Sequence, residues 1–286
     1  MGGCVRDVLM GRTPHDWDVT TNATPAQIQA AFPHTFYEND YGTVGVVYEE
    51  AQDETRKVIE VTPYRIEGKY SDKRHPDSVT FAKVLEEDLK RRDFTINSLA
   101  YDESQEKLVD LYGGVKDIKD KTVRAVGVPE ERLKEDALRM LRAVRFSCEL
   151  NFGIDHQTEL AIKENSGLIK EISQERIRDE LTKIIMSPNP KSGIELAQRL
   201  GLLPLILPEI GEGMGVEQNG DHIYDVWEHN IRALQHSADR AWPLHVRIGA
   251  LLHDVGKPKT RVWSEEKKDW TFYGHDVIGA RMALKI

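Results

Sequence analysis

The sequence predicts an α+β chain in which a mixed sheet-and-helix head is followed by helices alone. Three observations carry this. The Val- and Ile-rich runs Thr43 to Tyr48 and Lys57 to Thr62 read as strands, separated by a polar turn at Gln52-Asp53-Glu54. Thr24-Pro25 ahead of Ala26 to Phe32 has the cap, the first-position proline and the apolar spacing of a short helix. From about Leu133 the spacing turns helical and stays so, with breaks at Asn151-Phe152-Gly153, Ser187-Pro188-Asn189-Pro190 and Gly211 to Gly220. These breaks give three units: a head over residues 1–105, a helical middle over 106–210, and a last helical unit over 211–286 whose helices begin near Asp221. Gly2-Gly3 is expected to follow a strand, yet only Met1 precedes it, and Ala280 to Leu284 reads as a helix cut short. A truncated chain is the expectation.

At 286 residues the chain can hold about two cores. Its 40% hydrophobic and 30% charged content is that of an ordinary globular protein. No apolar run is long enough to span a bilayer and no charged-then-apolar leader precedes Gly2, so a cytoplasmic location and no membrane partner are expected. Two cysteines, Cys4 and Cys148, exclude a disulfide framework or a cysteine zinc cluster. A formal net charge of −9 argues against a large sequence-independent grip on nucleic acid. Local charge differs. Lys69, Lys73, Arg74, Lys83, Lys90, Arg91 and Arg92 lie close together in sequence, and Arg132, Lys134, Arg139, Arg142 and Arg145 follow.

The chemistry starts at Gly2-Gly3-Cys4-Val5-Arg6-Asp7 and Asp16-Trp17-Asp18. On a strand, the period of two would put the Asp16 and Asp18 carboxylates on one face, where a divalent ion would relieve their repulsion. The paired glycines would let backbone approach a phosphate closely. Glu60, inside the apolar run Val58 to Val61, is either a third carboxylate for that site or a solvent-facing residue of an edge strand. Two or three carboxylates are what two-metal phosphoryl transfer asks of a protein. Arg91-Arg92-Asp93-Phe94-Thr95-Ile96-Asn97 joins two phosphate-seeking guanidinium groups to an acid and an amide that could accept from ribose hydroxyls. The same residues also fit a helix start with Asp93 as its cap.

Glu135 to Phe146 reads as one continuous helix. At about 100° per residue, Asp136, Arg139, Arg142 and Arg145 fall on one half and Ala137, Met140, Leu141 and Val144 on the other. An Asp136 carboxylate accepting from an amino group and an Arg139 guanidinium donating to a ring nitrogen would accept cytosine and adenine and reject uracil and guanine. A surface salt-bridged helix is the alternative. Farther on, His229, the doublet His253-Asp254 and His275 have the ligand types for a second divalent metal, though scattered histidines are also common structural residues.

Taken in order, these segments resemble the class II tRNA nucleotidyltransferases, the CCA-adding enzymes and their poly(A) polymerase relatives, in the form that carries an HD domain. Gly2 to Asp7 with Asp16-Trp17-Asp18 resembles the family's first motif, Arg91 to Asn97 its ribose and triphosphate motif, and Glu135-Asp136 through Arg145 its nucleotide-selecting helix. Glu175-Arg176-Ile177-Arg178-Asp179-Glu180 resembles a further neck motif, and His253-Asp254 the HD signature. The resemblance implies a nucleotidyltransferase palm, an all-helical neck and a partial HD domain. It implies catalytic acids Asp16, Asp18 and Glu60, with Mg2+ on Asp16 and Asp18. Nucleotide contacts fall on Gly3, Arg6, Arg92, Asp93, Asp136, Arg139, Arg142 and Arg145. The implied reaction is template-independent addition of C, C and A from CTP and ATP to the 3′ end of tRNA. An A-adding enzyme or poly(A) polymerase is the near alternative, and an HD-type metal-dependent phosphohydrolase on His229, His253, Asp254 and His275 the distant one. Tyr64 to Phe81 resembles the flexible loop of A-adding members, which speaks against a CC-only enzyme. The family's first palm strand, its C-terminal tRNA-holding region and the last HD aspartate are not matched.

Overall fold

The computed structural model describes residues 1–37, 42–68, 79–220 and 222–286. The loop segment Tyr70 to Pro76, with Lys73 and Arg74, and also Lys69 and Asp221, lies outside the described residues. Contacts divide the chain into two compact units, Met1–Asp136 with Gly153–Thr158, and Ala137–Phe152 with Glu159–Ile286.

The first unit begins with α1 (Gly3–Leu9), β1 (Asp18–Thr21), α2 (Pro25–Ala31), β2 (Thr35–Tyr37), β3 (Val44–Val47) and β4 (Val58–Pro63). The start of α2 is local chemistry: Thr24 and Gln27 form a reciprocal capping box ahead of Pro25. The four strands make one sheet in the order β1-β4-β3-β2, parallel only between β1 and β4. One face of this sheet buries Val44 and Val61 against Ile28 of α2, with Ala23, Val46 and Ile59 packed around them. By the alternation of strand side chains, Glu60 between Ile59 and Val61 is turned to the other face, where it is exposed. β4 is an interior strand, so the edge-strand reading of Glu60 does not hold. On that open face the Phe36 ring covers Gly45, where a Cβ would lie 2.4 Å from the ring.

The rest of the first unit is a set of short pairs and helices. β5 (Arg65–Glu67) pairs antiparallel with β6 (Val79–Phe81), and β7 (Leu99–Asp102) with β8 (Lys107–Asp110). α3 (Leu85–Lys90) packs Leu89 against Ala100 of β7. A 3-10 turn, Thr95–Asn97, links these to α4 (Gly114–Lys119). The strand β9 (Thr122–Val123) pairs in parallel with β10 (Gly153–Ile154), and α5 (Pro129–Glu135) closes the unit. Thr95 is tied from two sides, its hydroxyl donating to Asp117 Oδ2 at 2.6 Å and its N–H to Arg124 O at 2.9 Å.

The second unit is helical: α6 (Leu138–Leu150), α7 (His156–Asn165, of which Glu159 onward belongs here), α8 (Gln174–Met186), α9 (Pro190–Arg199), α10 (Leu203–Ile206), α11 (Pro208–Gly211), α12 (Val226–Asp239), α13 (Leu244–Leu252), α14 (Lys257–Thr260) and α15 (His275–Ala283). An antiparallel hairpin, β11 (Val262–Ser264) with β12 (Asp269–Thr271), lies where the sequence after Gly220 is expected to be helical. α6, α8 and α9 meet at Gly193, where a Cβ would lie 2.7 Å from Ile184 and 3.2 Å from Cys148 Sγ. Burial pushes the Cys148 thiol up to about 11. Arg247, 5% exposed, donates to the carbonyls of Ile185 and Ser187 at the end of α8 and of Trp242 in the turn before α13.

The sequence placed Asp136 on one helix with Arg139. The structure breaks that helix: Asp136 has extended backbone (φ −141°, ψ 105°) between α5 and α6. Nor is the arginine half of α6 a solvent face, since Arg139 and Arg145 are buried.

Gly114 meets the backbone of Thr95, where a Cβ would stand 2.3 Å from the carbonyl oxygen. Gly114→Ala is therefore expected to destabilise the first unit by about 1–3 kcal/mol, the usual cost of overpacking, read as a lower urea midpoint.

Candidate active site

In the first unit the residues that carry chemistry converge around Arg92. Asp18 opens β1 and pairs in register with Glu60 of β4, so the two acids sit side by side on the open face of the sheet. Asp16 is not on the strand as the sequence suggested; it lies in the exposed bend just before it. It remains close enough for its charge to act on Asp18. The Asp18 carboxyl is pushed above its ordinary value, first by burial and then by the negative charge of Asp16, with Arg92 acting in the opposite sense.

Arg92 is enclosed. Burial pulls its guanidinium below the usual range, and the carboxylates of Asp88, Asp18 and Asp93 oppose that pull. Its Nη1 donates to Asn97 O at 3.2 Å, while its buried Nε has no hydrogen-bond partner among the described residues. Gly2 makes room for it: with φ of +77°, a conformation that favours glycine, it sits where a Cβ would lie 2.5 Å from Arg92 Nη1. Gly2 N–H donates to Leu99 O at 2.8 Å, which fastens the glycine pair beside the Arg92 segment.

A chain of hydrogen bonds continues the site. Arg6, ion-paired to Asp7 at 2.8 Å, donates from Nη1 to Asn97 Oδ1 at 2.7 Å, and Asn97 Nδ2 donates to Asp93 Oδ1 at 3.2 Å. Asp93 also accepts from Phe94 N–H at 2.8 Å, and it caps no α-helix. Arg91 and Arg92 are not in solvent as a simple helix start would have them, their side chains being 17% and 18% exposed. Sequence reasoning missed Asp88, fully buried between them, although an acid three and four residues ahead of two arginines was a readable signal.

Asp136 ends the first unit. Arg139, Arg142 and Arg145 lie on α6 in the second, where Arg145 faces Glu180 of α8 at 3.3 Å and stacks over Phe146 at 4.4 Å. That contact gives Glu180, the last acid of the Glu175 to Glu180 segment, a local role in holding Arg145.

The second unit holds its own cluster. His229, His253 and Asp254 offer ligand atoms all within 4.8 Å of one another. Asp254 is buried, with Oδ2 at 3.2 Å from His253 Nε2 and 3.6 Å from His229 Nε2, and Oδ1 at 3.6 Å from His275 Nε2. The Nδ1 atoms of His253 and His275 face the carbonyls of Ala250 and Phe272, which leaves each Nε2 toward the acid. Burial works against ionisation of Asp254, but hydrogen bonds from His253 and Lys257 hold its carboxyl far below the usual range. Asp254 in turn raises His253, whereas burial and the neighbouring His253 lower His229. Lys257, absent from the sequence reading, donates to Asp254 Oδ2 at 2.7 Å and Gln218 Oε1 at 2.6 Å.

A mixed sheet that sets acids on adjacent strands, within electrostatic reach of a half-buried arginine, is the arrangement of a nucleotidyltransferase head. The comparisons agree. Residues 1–124 match the poly(A) polymerase head domain, 151–214 the probable RNA and SrmB-binding site of polymerase A, and 221–286 the HD domain. The crystal structure of the Bacillus stearothermophilus CCA-adding enzyme in complex with CTP is similar at a TM-score of 0.67 and 33% identity, over 99% of this chain and 72% of that one. A tRNA nucleotidyltransferase complexed with a primer tRNA and an incoming ATP analog is similar at a TM-score of 0.67 and 25% identity, over 88% of this chain and 69% of that one. The CCA-adding enzyme of Lactobacillus helveticus (strain DPC 4571) is 46% identical over 197 residues, 68% of this chain and 48% of that protein. The chain belongs to the CCA-adding enzyme family of tRNA nucleotidyltransferases. It spans about half the length of the curated relatives it matches. Among the described residues no helix is long and apolar enough to cross a membrane.

The raised Asp18 carboxyl has a consequence for stability. The folded head holds this proton more readily than the unfolded chain, so its contribution to stability falls as pH rises from 3.8 through the folded value, and the penalty persists above it. In metal-free buffer Asp18→Asn is expected to raise the urea midpoint at neutral pH and leave it unchanged in strong acid.

Proposed function

We propose that the protein adds C, C and A from CTP and ATP to the 3′ end of tRNA without a nucleic-acid template, in the cytoplasm. The observation that supports this most is the pairing of Asp18 with Glu60 in register, close to a half-buried Arg92 whose buried Nε has no hydrogen-bond partner among the described residues. The three-part organisation, with a head over 1–105, a neck over 106–210 and an HD unit over 211–286, belongs to the same proposal, and the three family-model matches support it.

Asp16 and Asp18 would hold Mg2+, with Glu60 beside them; an all-carboxylate donor set of mutually repelling acids suits a hard dication. When bound, Mg2+ supplies activation of the attacking hydroxyl and stabilisation of the leaving pyrophosphate. Arg92 and Arg6 would hold the triphosphate, with the Gly2-Gly3 backbone leaving space for it. Asp93, oriented by Asn97, would accept from the ribose. The RNA 3′ oxygen then bonds to the α-phosphorus as the bond to pyrophosphate breaks. The sequence motif supports Asp136 and Arg139 as the base-reading acceptor and donor, with Arg142 and Arg145 as further nucleotide-side cations.

The His229, His253 and Asp254 cluster favours a second reading, a divalent metal in the HD unit serving phosphohydrolysis with His275 nearby. Its donors fit a metal of intermediate hardness, although Lys257 already occupies one Asp254 oxygen.

Supplied with tRNA lacking its CCA end and single nucleotides, the protein is expected to incorporate C from CTP and then A from ATP. Incorporation of A alone would make it an A-adding enzyme or poly(A) polymerase. Asp16→Ala is expected to abolish transfer, a loss of at least about a thousandfold as for removal of any central catalytic group. His253→Ala should leave transfer intact; the opposite pattern would make hydrolysis the main activity. Arg139→Ala is expected to relax base choice, so equal losses for all four nucleotides would contradict its assignment.

A further inference from the structure

Arg91 and Arg92 are adjacent cations, both largely withdrawn from water, and nothing in their own chemistry keeps them from pushing apart. The residue between them is Asp88, with no exposure at all. Its two oxygens are used unequally. Oδ1 accepts from Arg91 Nε at 2.9 Å and from Arg91 Nη2 at 2.7 Å, a tight two-donor pair. Oδ2 faces Arg92 Nη2 at 3.8 Å, beyond hydrogen-bond range, and has no hydrogen-bond partner among the described residues. The buried Nε of Arg92 likewise has no hydrogen-bond partner among the described residues.

We propose that Asp88 is a positioning residue that anchors Arg91 as a structural cation and holds Arg92 loosely, so that the Arg92 guanidinium stays available to the triphosphate. The inference rests on the nucleotidyltransferase reading and deepens it. A guanidinium carries five donors. Had Asp88 closed on both arginines alike, Arg92 would spend its donors on protein; without the Asp88 charge, repulsion from Arg91 would displace it. The geometry between these extremes keeps Arg92 in place by a single bond to Asn97 O, the space left by Gly2, and the electrostatic pull of Asp88 across 3.8 Å. The two arginines thus have different tasks despite being neighbours of the same type.

The test uses inorganic tripolyphosphate with Mg2+ as the probe, titrated calorimetrically into the full chain, with steady-state CTP kinetics alongside. Asp88→Asn keeps the shape and removes the charge. It is expected to weaken tripolyphosphate binding and raise the KM for CTP by about tenfold, with kcat changed far less. Asp117→Asn is the control, because it removes another buried acid of the same unit, bonded to Thr95 and Arg124 and not to Arg92. It should lower the urea midpoint and leave tripolyphosphate affinity unchanged. Equal loss of affinity in the two variants, or none in Asp88→Asn, overturns the inference while the reading of the head stands. A wild-type chain that binds no tripolyphosphate overturns both. If Asp88→Asn does not fold, the arginine Nε–H resonances of the wild type decide: the Arg92 signal should shift on adding tripolyphosphate and the Arg91 signal should not, and equal shifts refute the division.

Discussion

A guanidinium withdrawn from water is tolerated only where acids and acceptors offset its desolvation, and Arg92 is the residue around which the first unit makes that arrangement. Gly2 is bare on its account, Asn97 turns a carbonyl to it, and Asp88 and Asp18 supply opposing charge. Asp88 and Asn97 flank it in sequence while Gly2 and Asp18 come from other stretches, so the position of one cation ties the glycine pair, the Asp88 to Asn97 segment and β1 into one constellation. The remaining tension is on the acid side, where burial and the neighbouring Asp16 push the Asp18 carboxyl above its ordinary value. An arginine donor with no partner among the described residues, near crowded carboxylates, suits a ligand that carries both phosphate and a hard cation.

The sheet decides which acids share a face. Because β1 and β4 run parallel in register, Asp18 and Glu60 share a face, and the opposite face is committed to Ile28, Val44 and Val61. A slip of one residue would bury Glu60 and expose Val61. The apolar packing on one side therefore holds the polar geometry on the other. The same logic recurs in the second unit, where buried Arg247 and the close approach at Gly193 fix α6, α8 and α9, and with them the contact of Arg145 with Glu180.

What the sequence made legible was mostly local. The cap and proline at Thr24-Pro25, the β-rich runs of β3 and β4 and the helical spacing after Leu133 each declare themselves within a few residues. The continuous helix from Glu135 was misread because Asp136 sits amid good helix formers and nothing local forbids a helix there; the break is set by tertiary structure. The β11–β12 hairpin escaped notice because its strands are three residues each, too short for a period of two to register. Among candidate site residues, the motif-borne ones were named from the sequence, whereas Asp88 and Lys257 were given no role: each pairs with a partner three residues away, a spacing common on any solvated helix. Burial gives those pairs their weight, and burial is a property of the fold.

The central claim is that a nucleotide triphosphate lies between the acids of β1 and β4 and the Arg92 guanidinium. Anomalous diffraction from crystals grown with CTP and Mn2+ tests it most directly. The account predicts manganese density in contact with Asp16 and Asp18, with the CTP phosphates reaching Arg92. Manganese held only by His229, His253 and Asp254, with the triphosphate away from Arg92, would contradict it.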